Sequence, residues 1–247
     1  MIRSVLRRFG WHVGRMPAPV RVTNAWESLK RLDIRTVIDV GAYDGDTGRI
    51  FRDMWPNAEL HCFEPQVEIF SRLRNWASTQ NGQVHAYNFA VGNVSRIQTL
   101  RVVQERDRTA SIIRRFDDEQ PGKMPVASHE VRVERLDDVL DAAALTAGIF
   151  IKIDVEGFER EVMRGGSAVL DRAAVCVIEH HTRLTPHGAA DMAEIAGILE
   201  SHGLTFTGMV QQVFGKNGRY VYGDALFTNW PRCALRTDTQ SASTHQG

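Results

Sequence analysis

Thr36-Val-Ile-Asp39-Val-Gly41-Ala-Tyr-Asp-Gly45-Asp46 is a short apolar run that ends in an acid and a glycine turn. A second apolar run ending in an acid follows it, Leu60-His-Cys-Phe-Glu64-Pro65. Between the two, residues 47–55 read as a helix with Ile50, Phe51 and Trp55 on one face. The whole is a βαβ unit with its turn at the end of the first strand and Glu64 at the end of the second. Such a unit holds a nucleoside, because the glycine turn lets a ligand approach the backbone and the acid accepts hydrogen bonds from ribose hydroxyls.

Glycine spacing and charge indicate which nucleoside. A dinucleotide site uses Gly-x-Gly-x-x-Gly to seat a pyrophosphate on the helix N-terminus. Here the glycines are 41, 45 and 48, and Asp44 and Asp46 crowd the phosphate position. Two carboxylates repel a pyrophosphate but suit S-adenosyl-L-methionine, which carries a sulfonium and an ammonium. An NAD-dependent oxidoreductase is disfavoured on the same ground.

The rest of the chain extends the unit. Residues 67–76 read as a helix, 84–92 as a third strand with its exit turn, and 97–103 and 126–136 as strands around a polar, arginine-rich loop at 105–123. A helix from Leu136, a buried strand with a charged end at 149–157, a helix at 158–170, a strand at 174–181 and a helix at 189–201 come next. Two closing strands, 205–214 and 220–228, complete the order, which implies a mostly parallel sheet covered on both faces as a three-layer α/β sandwich. Right-handed crossovers bring the C-terminal strand ends to one edge, where ligands bind. Asp39, Glu64, Asp154 and Glu179 all fall at that edge.

Composition narrows the function classes. Lys+Arg and Asp+Glu both total 30 in 247 residues, so no net charge draws the chain to nucleic acid, and no nucleic-acid partner is expected. Cys62 and Cys176 lie in apolar runs that suit reduced, buried thiols. No Cys/His cluster has zinc spacing, and an oxygen-ligand metal site is disfavoured. No apolar stretch reaches the ~20 residues of a membrane span and no signal-peptide core is present, so a soluble cytoplasmic protein is expected. Residues 1–30 form a basic extension in which Ile2, Val5, Leu6, Phe9 and Val13 recur at helical spacing. Its expected role is docking on the domain, with a weak membrane-surface contact through residues 1–15 as the alternative. Residues 31–232 form the main domain and 233–247 a tail, disordered from Thr237 onward.

Chemistry is expected at the acidic edge. In the strand ending Ile151-Lys152-Ile-Asp154-Val-Glu156, Lys152 and Asp154 share a face. Lys152 is one half of a structural ion pair, or else a substrate-orienting cation or a base with lowered pKa. Asp154 is the leading catalytic candidate, with Glu156 beside it. Glu159 is a first-turn acid favoured by the helix dipole. His180, after the next strand, is a candidate proton acceptor.

Laid out this way, the chain resembles the FkbM family of S-adenosylmethionine-dependent methyltransferases. The resemblance rests on Val37-Ile-Asp39-Val-Gly41-Ala-x-x-Gly45, Phe63-Glu64-Pro65, Ala90-Val91-Gly92 and, most specifically, Ile151-Lys152-Ile-Asp154-Val-Glu156-Gly157-Phe-Glu159. It spans about residues 35–181. It implies a class I, Rossmann-like fold of seven strands whose last strand is antiparallel. The implied reaction is O-methylation of a hydroxyl on a sugar, glycan or secondary metabolite. On that reading Asp39, Gly41, Ala42, Tyr43, Asp44 and Gly45 contact the methionine portion of the cofactor, Glu64 and Pro65 the ribose side, and Ala90 and Val91 the adenine. Asp154, with Glu156 or His180, lines the acceptor side. The chain departs from the family at Tyr43, where Asn is common, and at Thr109-Ala-Ser111-Ile, a weak match to a Ser-Ser-Leu-like segment. A non-catalytic nucleoside-binding subunit of a modification complex is the rival function.

Overall fold

A computed structural model of the chain describes residues 25–103, 126–155, 157–181 and 190–237. The proposed N-terminal helix at 1–15, the loop at 105–123 with Ser111, and Glu156 lie outside the described residues.

Strand β1 (Thr36–Val40) is buried along its whole length. It is flanked in parallel by β2 (Glu59–Phe63) and by β7 (Ile149–Ile153). With β3 (Val84–Tyr87), β8 (Ala173–His181), β9 (Thr205–Phe214) and β10 (Tyr220–Thr228), they form one seven-stranded sheet of order β3-β2-β1-β7-β8-β10-β9. β10 runs antiparallel to both β8 and β9. The chain order reverses between β1 and β7, so a crevice opens above the C-terminal end of β1, where open α/β sheets bind ligands.

Both faces of the sheet are covered. On one, Val37, Phe150, Val175 and Val177 pack with Phe51, Trp55 and Leu73, which come from or adjoin α2 (Asp46–Met54) and α3 (Val67–Ser78). The other face carries Ile38, Ile151, Cys176 and Ile178. It is covered by α5 (Glu159–Gly165), α6 (Ser167–Leu170) and α7 (Met192–Ser201). Cys62 and Cys176 are buried free thiols. Among the described residues no helix is long and apolar enough to cross a membrane.

The structure corrects five details of the sequence reading. Ile50 is 53% exposed, and only Phe51 and Trp55 of the proposed trio face inward. The run at 84–92 is two strands, broken where Asn88 Nδ2 donates to the carbonyls of Glu64 and Pro65. After the break, β4 (Ala90–Val91) leaves the main sheet and joins β6 (Val126–Glu134) and β5 (Arg96–Val103) in a small second sheet. The helix beginning at Leu136 is a single turn, α4 (Leu136–Val139). At the termini, α1 (Ala25–Leu29) belongs to the domain, since Trp26 packs on Phe51 and Phe150. Residues 233–236 are ordered rather than tail: Leu235 bridges Leu32, and Arg236 donates to the Met54 carbonyl.

Candidate active site

The glycine turn is built by backbone bonds to the two neighbouring strands. The amides of Gly41 and Ala42 both donate to the Phe63 carbonyl at 3.0 Å, and the Asp154 amide donates to the Val40 carbonyl at 2.9 Å. Gly41 has φ +92°, and a Cβ there would lie 1.9 Å from the Asp154 carbonyl oxygen. The turn, β2 and the strand leading to Asp154 are therefore joined at one junction.

Glu64 is completely buried beneath the turn. Its Oε2 accepts from the Tyr43 amide at 3.2 Å, and its Oε1 from the Gln66 amide at 2.8 Å. Next to it an apolar cleft is lined by Gly41, Phe63, Pro65, Ala90, Val91 and Phe158, among others. Phe158 and Leu100, also in that lining, were not singled out in the sequence. Leu100 belongs to the inserted hairpin, which no periodicity assigns to a cofactor cleft. Phe158 directly follows Gly157, whose φ of +102° turns the chain back toward the cleft; a glycine at the strand exit was the available signal.

The turn's two acids separate. Asp46 is exposed and paired with Arg49 at 3.1 Å, so it points away from the turn. Asp44 Oδ1 is buried with no hydrogen-bond partner among the described residues. Tyr43 holds φ +51° and Gly45 φ +92°. A left-handed tyrosine is strained where asparagine is tolerated. Tyr43→Asn should raise stability by about 1 kcal/mol, read as a higher urea midpoint. A lowered midpoint would mean that contacts of the ring offset the strain.

The acidic edge is a polar layer on one face of the sheet. Asp39 pairs with Lys152 across β1 and β7, Glu179 with Asp224 and His181 with Tyr222 across β8 and β10. Lys152 Nζ donates to Asp154 Oδ2 at 2.6 Å. Burial opposes the Lys152 charge, but Asp154, Asp39 and Asp224 outweigh it and hold the ammonium above its ordinary range. That direction runs against the lowered-pKa reading of Lys152, and the contact with Asp154 fits the ion-pair alternative. Burial drives Asp39 up to about 7 against the pull of Lys152, with Asp154 and Glu64 adding to the rise. Neither oxygen of Asp39 has a hydrogen-bond partner among the described residues. Burial likewise pushes Glu179 up to about 8, with His181 opposing and Asp154 reinforcing the shift.

His180 and His181 lie on opposite faces of β8. His181 Nε2 lies 2.9 Å from Glu179 Oε2, so these two share a face and His180 points to the other. Burial lowers the His180 pKa, and the charges nearest it are His181 and Asp191, not Asp154. The period-two pattern carried this information, since Glu179 and His181 have the same parity. Glu159 accepts from the Gly157 amide at 2.8 Å, which fits its reading as a first-turn cap. Among the described residues, no group of three or more His, Cys, Asp or Glu is arranged to hold a metal ion.

A 3-2-1-4-5-7-6 sheet with an antiparallel seventh strand, a glycine turn over a buried acid and an adjoining apolar cleft define a class I methyltransferase. The residues present suit that class's cofactor: an apolar cleft that can take a base adjoins the turn, and Glu64 and Asp44 are the carboxyls beside it. The chain belongs to the FkbM methyltransferase family, whose methyltransferase FkbM domain matches residues 39–206; S-adenosylmethionine is its cofactor. It is 25% identical to 2-O-methyltransferase NoeI of Sinorhizobium fredii over 245 residues, covering 92% of this chain and 93% of that one. It is 23% identical to AMB antimetabolite synthetase AmbE of Pseudomonas aeruginosa over 68% of this chain, a match that spans 9% of the synthetase. Among solved structures, fibrillarin from Aeropyrum pernix in complex with S-adenosyl-L-methionine aligns with a TM-score of 0.47 and 10% identity, covering 81% of this chain and 68% of that one.

Proposed function

We propose that this methyltransferase acts on a hydroxyl oxygen of a sugar, glycan or secondary metabolite. The observation that carries the reading is the layer of Asp154, Glu179 and His181 beside the glycine turn. Such groups hydrogen-bond an alcohol, and a histidine among them can take up its proton. A 2-O-methyltransferase among the relatives supports the same reading.

When bound, S-adenosylmethionine supplies an electrophilic methyl group on a sulfonium. Asp44 provides the negative charge that attracts its cationic end, with Asp39 buried beneath the turn, and Gly41, Ala42, Tyr43 and Gly45 frame it through the backbone. Glu64 takes the ribose hydroxyls, Pro65 flanks them, and Ala90 and Val91 border the adenine. Asp154 faces the acceptor, and Lys152 holds that carboxyl in place through a hydrogen bond at 2.6 Å. Aligning the acceptor oxygen for in-line displacement is most of what such a site must do.

The test is calorimetric titration with S-adenosylhomocysteine and NAD⁺, paired with labelled methyl transfer to methyl glycosides and hydroxylated metabolites. Glu64→Gln should weaken S-adenosylhomocysteine binding about tenfold or more through a lost charge-assisted hydrogen bond while unfolding remains cooperative. Binding unchanged in that variant removes Glu64 from the ribose. Tight binding without transfer to any hydroxyl acceptor would favour the non-catalytic subunit, and binding of NAD⁺ alone would refute the cofactor assignment.

A further inference from the structure

O-methylation of an alcohol needs a proton acceptor, and the polar layer offers several carboxyls and a histidine. Asp154 Oδ2 is gripped by Lys152 at 2.6 Å, and a carboxylate held by a buried ammonium is a weak base. Asp39 is 1% exposed and lies within the sheet, out of reach of an acceptor at the edge. His180 points to the opposite face. His181 faces the polar layer and its Nε2 partner is a carboxyl rather than an ammonium; the nitrogen left to take a proton is Nδ1, which is buried in the ligand-free protein. His181 ends β8 at the sheet edge, and its ring is stacked on Tyr222 at 5.2 Å, which fixes the imidazole plane.

We infer that His181, oriented through Nε2 by Glu179, is the general base that takes the acceptor's proton, with Glu179 as its positioning residue; the inference rests on the O-methylation reading. The acceptor's O–H bond breaks toward the imidazole as its oxygen bonds the methyl carbon. The C–S electron pair stays on the departing thioether sulfur, and the imidazolium later releases its proton to solvent. Neutral imidazole is abundant near neutral pH, and an adjacent carboxyl that ionises beside the imidazolium stabilises it. The other charged groups that face His181 favour the same outcome. Glu159 from α5 and Asp224 from β10 are both acids within electrostatic reach of it, as is Asp154 through Glu179. The opposing cations are His180, when protonated, and Lys152, which is paired with Asp154.

Two measurements test this on the full chain. The first is methyl transfer to a panel of methyl glycosides by the parent, His181→Gln, Glu179→Gln and Glu179→Asp proteins. The second is an NMR titration of the His181 ring in the S-adenosylhomocysteine complex. His181→Gln should lower kcat about 100-fold or more while the Kd for S-adenosylhomocysteine changes less than about threefold. Glu179→Gln should move the acidic limb of the pH–rate profile down by about one unit, because the partner that favours the imidazolium is gone, and Glu179→Asp should restore part of the shift. The NMR midpoint of His181 should coincide with that limb and move with it. A His181→Gln kcat within about threefold of the parent overturns the assignment. If the parent methylates no hydroxyl acceptor, the O-methylation reading fails and the assignment falls with it; if it does, the NMR arm tests the base separately. A ring that does not titrate between about pH 5 and 9, or ignores Glu179→Gln, overturns it, whereas a titration that follows Glu179→Gln sustains it.

Discussion

Gly41→Ala should abolish cofactor binding and lower stability by about 3 kcal/mol or more. The added methyl would lie 1.9 Å from the Asp154 carbonyl oxygen and 2.9 Å from its carbon, both backbone atoms that no rotamer change can move. Relief requires the exit of β7 to separate from β1, which breaks the bond from the Asp154 amide to the Val40 carbonyl. That bond joins the cofactor turn to the acceptor-side strand, so binding fails along with stability. Gly82→Ala is the control: its φ of +78° is also left-handed, but a Cβ there meets nothing within 4 Å. Only the conformational cost of about 1 kcal/mol should appear at that position. Urea unfolding of both variants, with S-adenosylhomocysteine titration, separates backbone strain from close approach. Equal losses at the two positions would show that the β1–β7 junction gives way freely.

The parts of this site that are legible in sequence are those written within a few consecutive residues. Asp39-Val-Gly41 and Phe63-Glu64-Pro65 each combine an apolar strand, an acid and a turn, and local chemistry fixes what they do. Asp154 is legible for the same reason. Features that depend on which strand stands beside which were not. The inserted sheet follows from Asn88 spending its amide on the Glu64 and Pro65 carbonyls, a tertiary contact that cuts one apparent strand in two. Asp224 looks unremarkable within Tyr220–Thr228 until antiparallel pairing sets it opposite Glu179. The choice between two adjacent histidines lay in strand parity, which a reading centred on residue type passes over. The ordering of residues 233–236 needed the return of the chain to Leu32, which the polar composition beyond Thr237 obscured.

Lys152→Met should cost about 3–5 kcal/mol near neutral pH, and most of that loss should disappear in mild acid. Lys152 is 6% exposed and is the cation that Asp39, Asp154 and Asp224 share. Methionine fills a similar volume, so the loss is electrostatic rather than a cavity. Asp39 already titrates near 7 in the folded protein against an ordinary value of 3.8. A raised carboxyl contributes stability that is present below its unfolded pKa and is lost as pH rises through its folded one, because the folded state there holds the extra proton. Without the ammonium, which lowers both of them, Asp39 and Asp224 move further up. The folded variant then carries more protons than the unfolded chain over a wider range, and its stability falls more steeply with pH. In the parent, Lys152 itself has a folded pKa above its ordinary value, so its contribution is constant through the neutral range and fades only in strong base. Parent and variant should therefore converge as pH approaches about 4 and diverge toward about pH 8, by up to about 1.4 kcal/mol per pH unit for each additional proton held. Urea unfolding across that range measures the divergence directly. A deficit of the same size at both ends would mean that Lys152 serves the strand by packing alone.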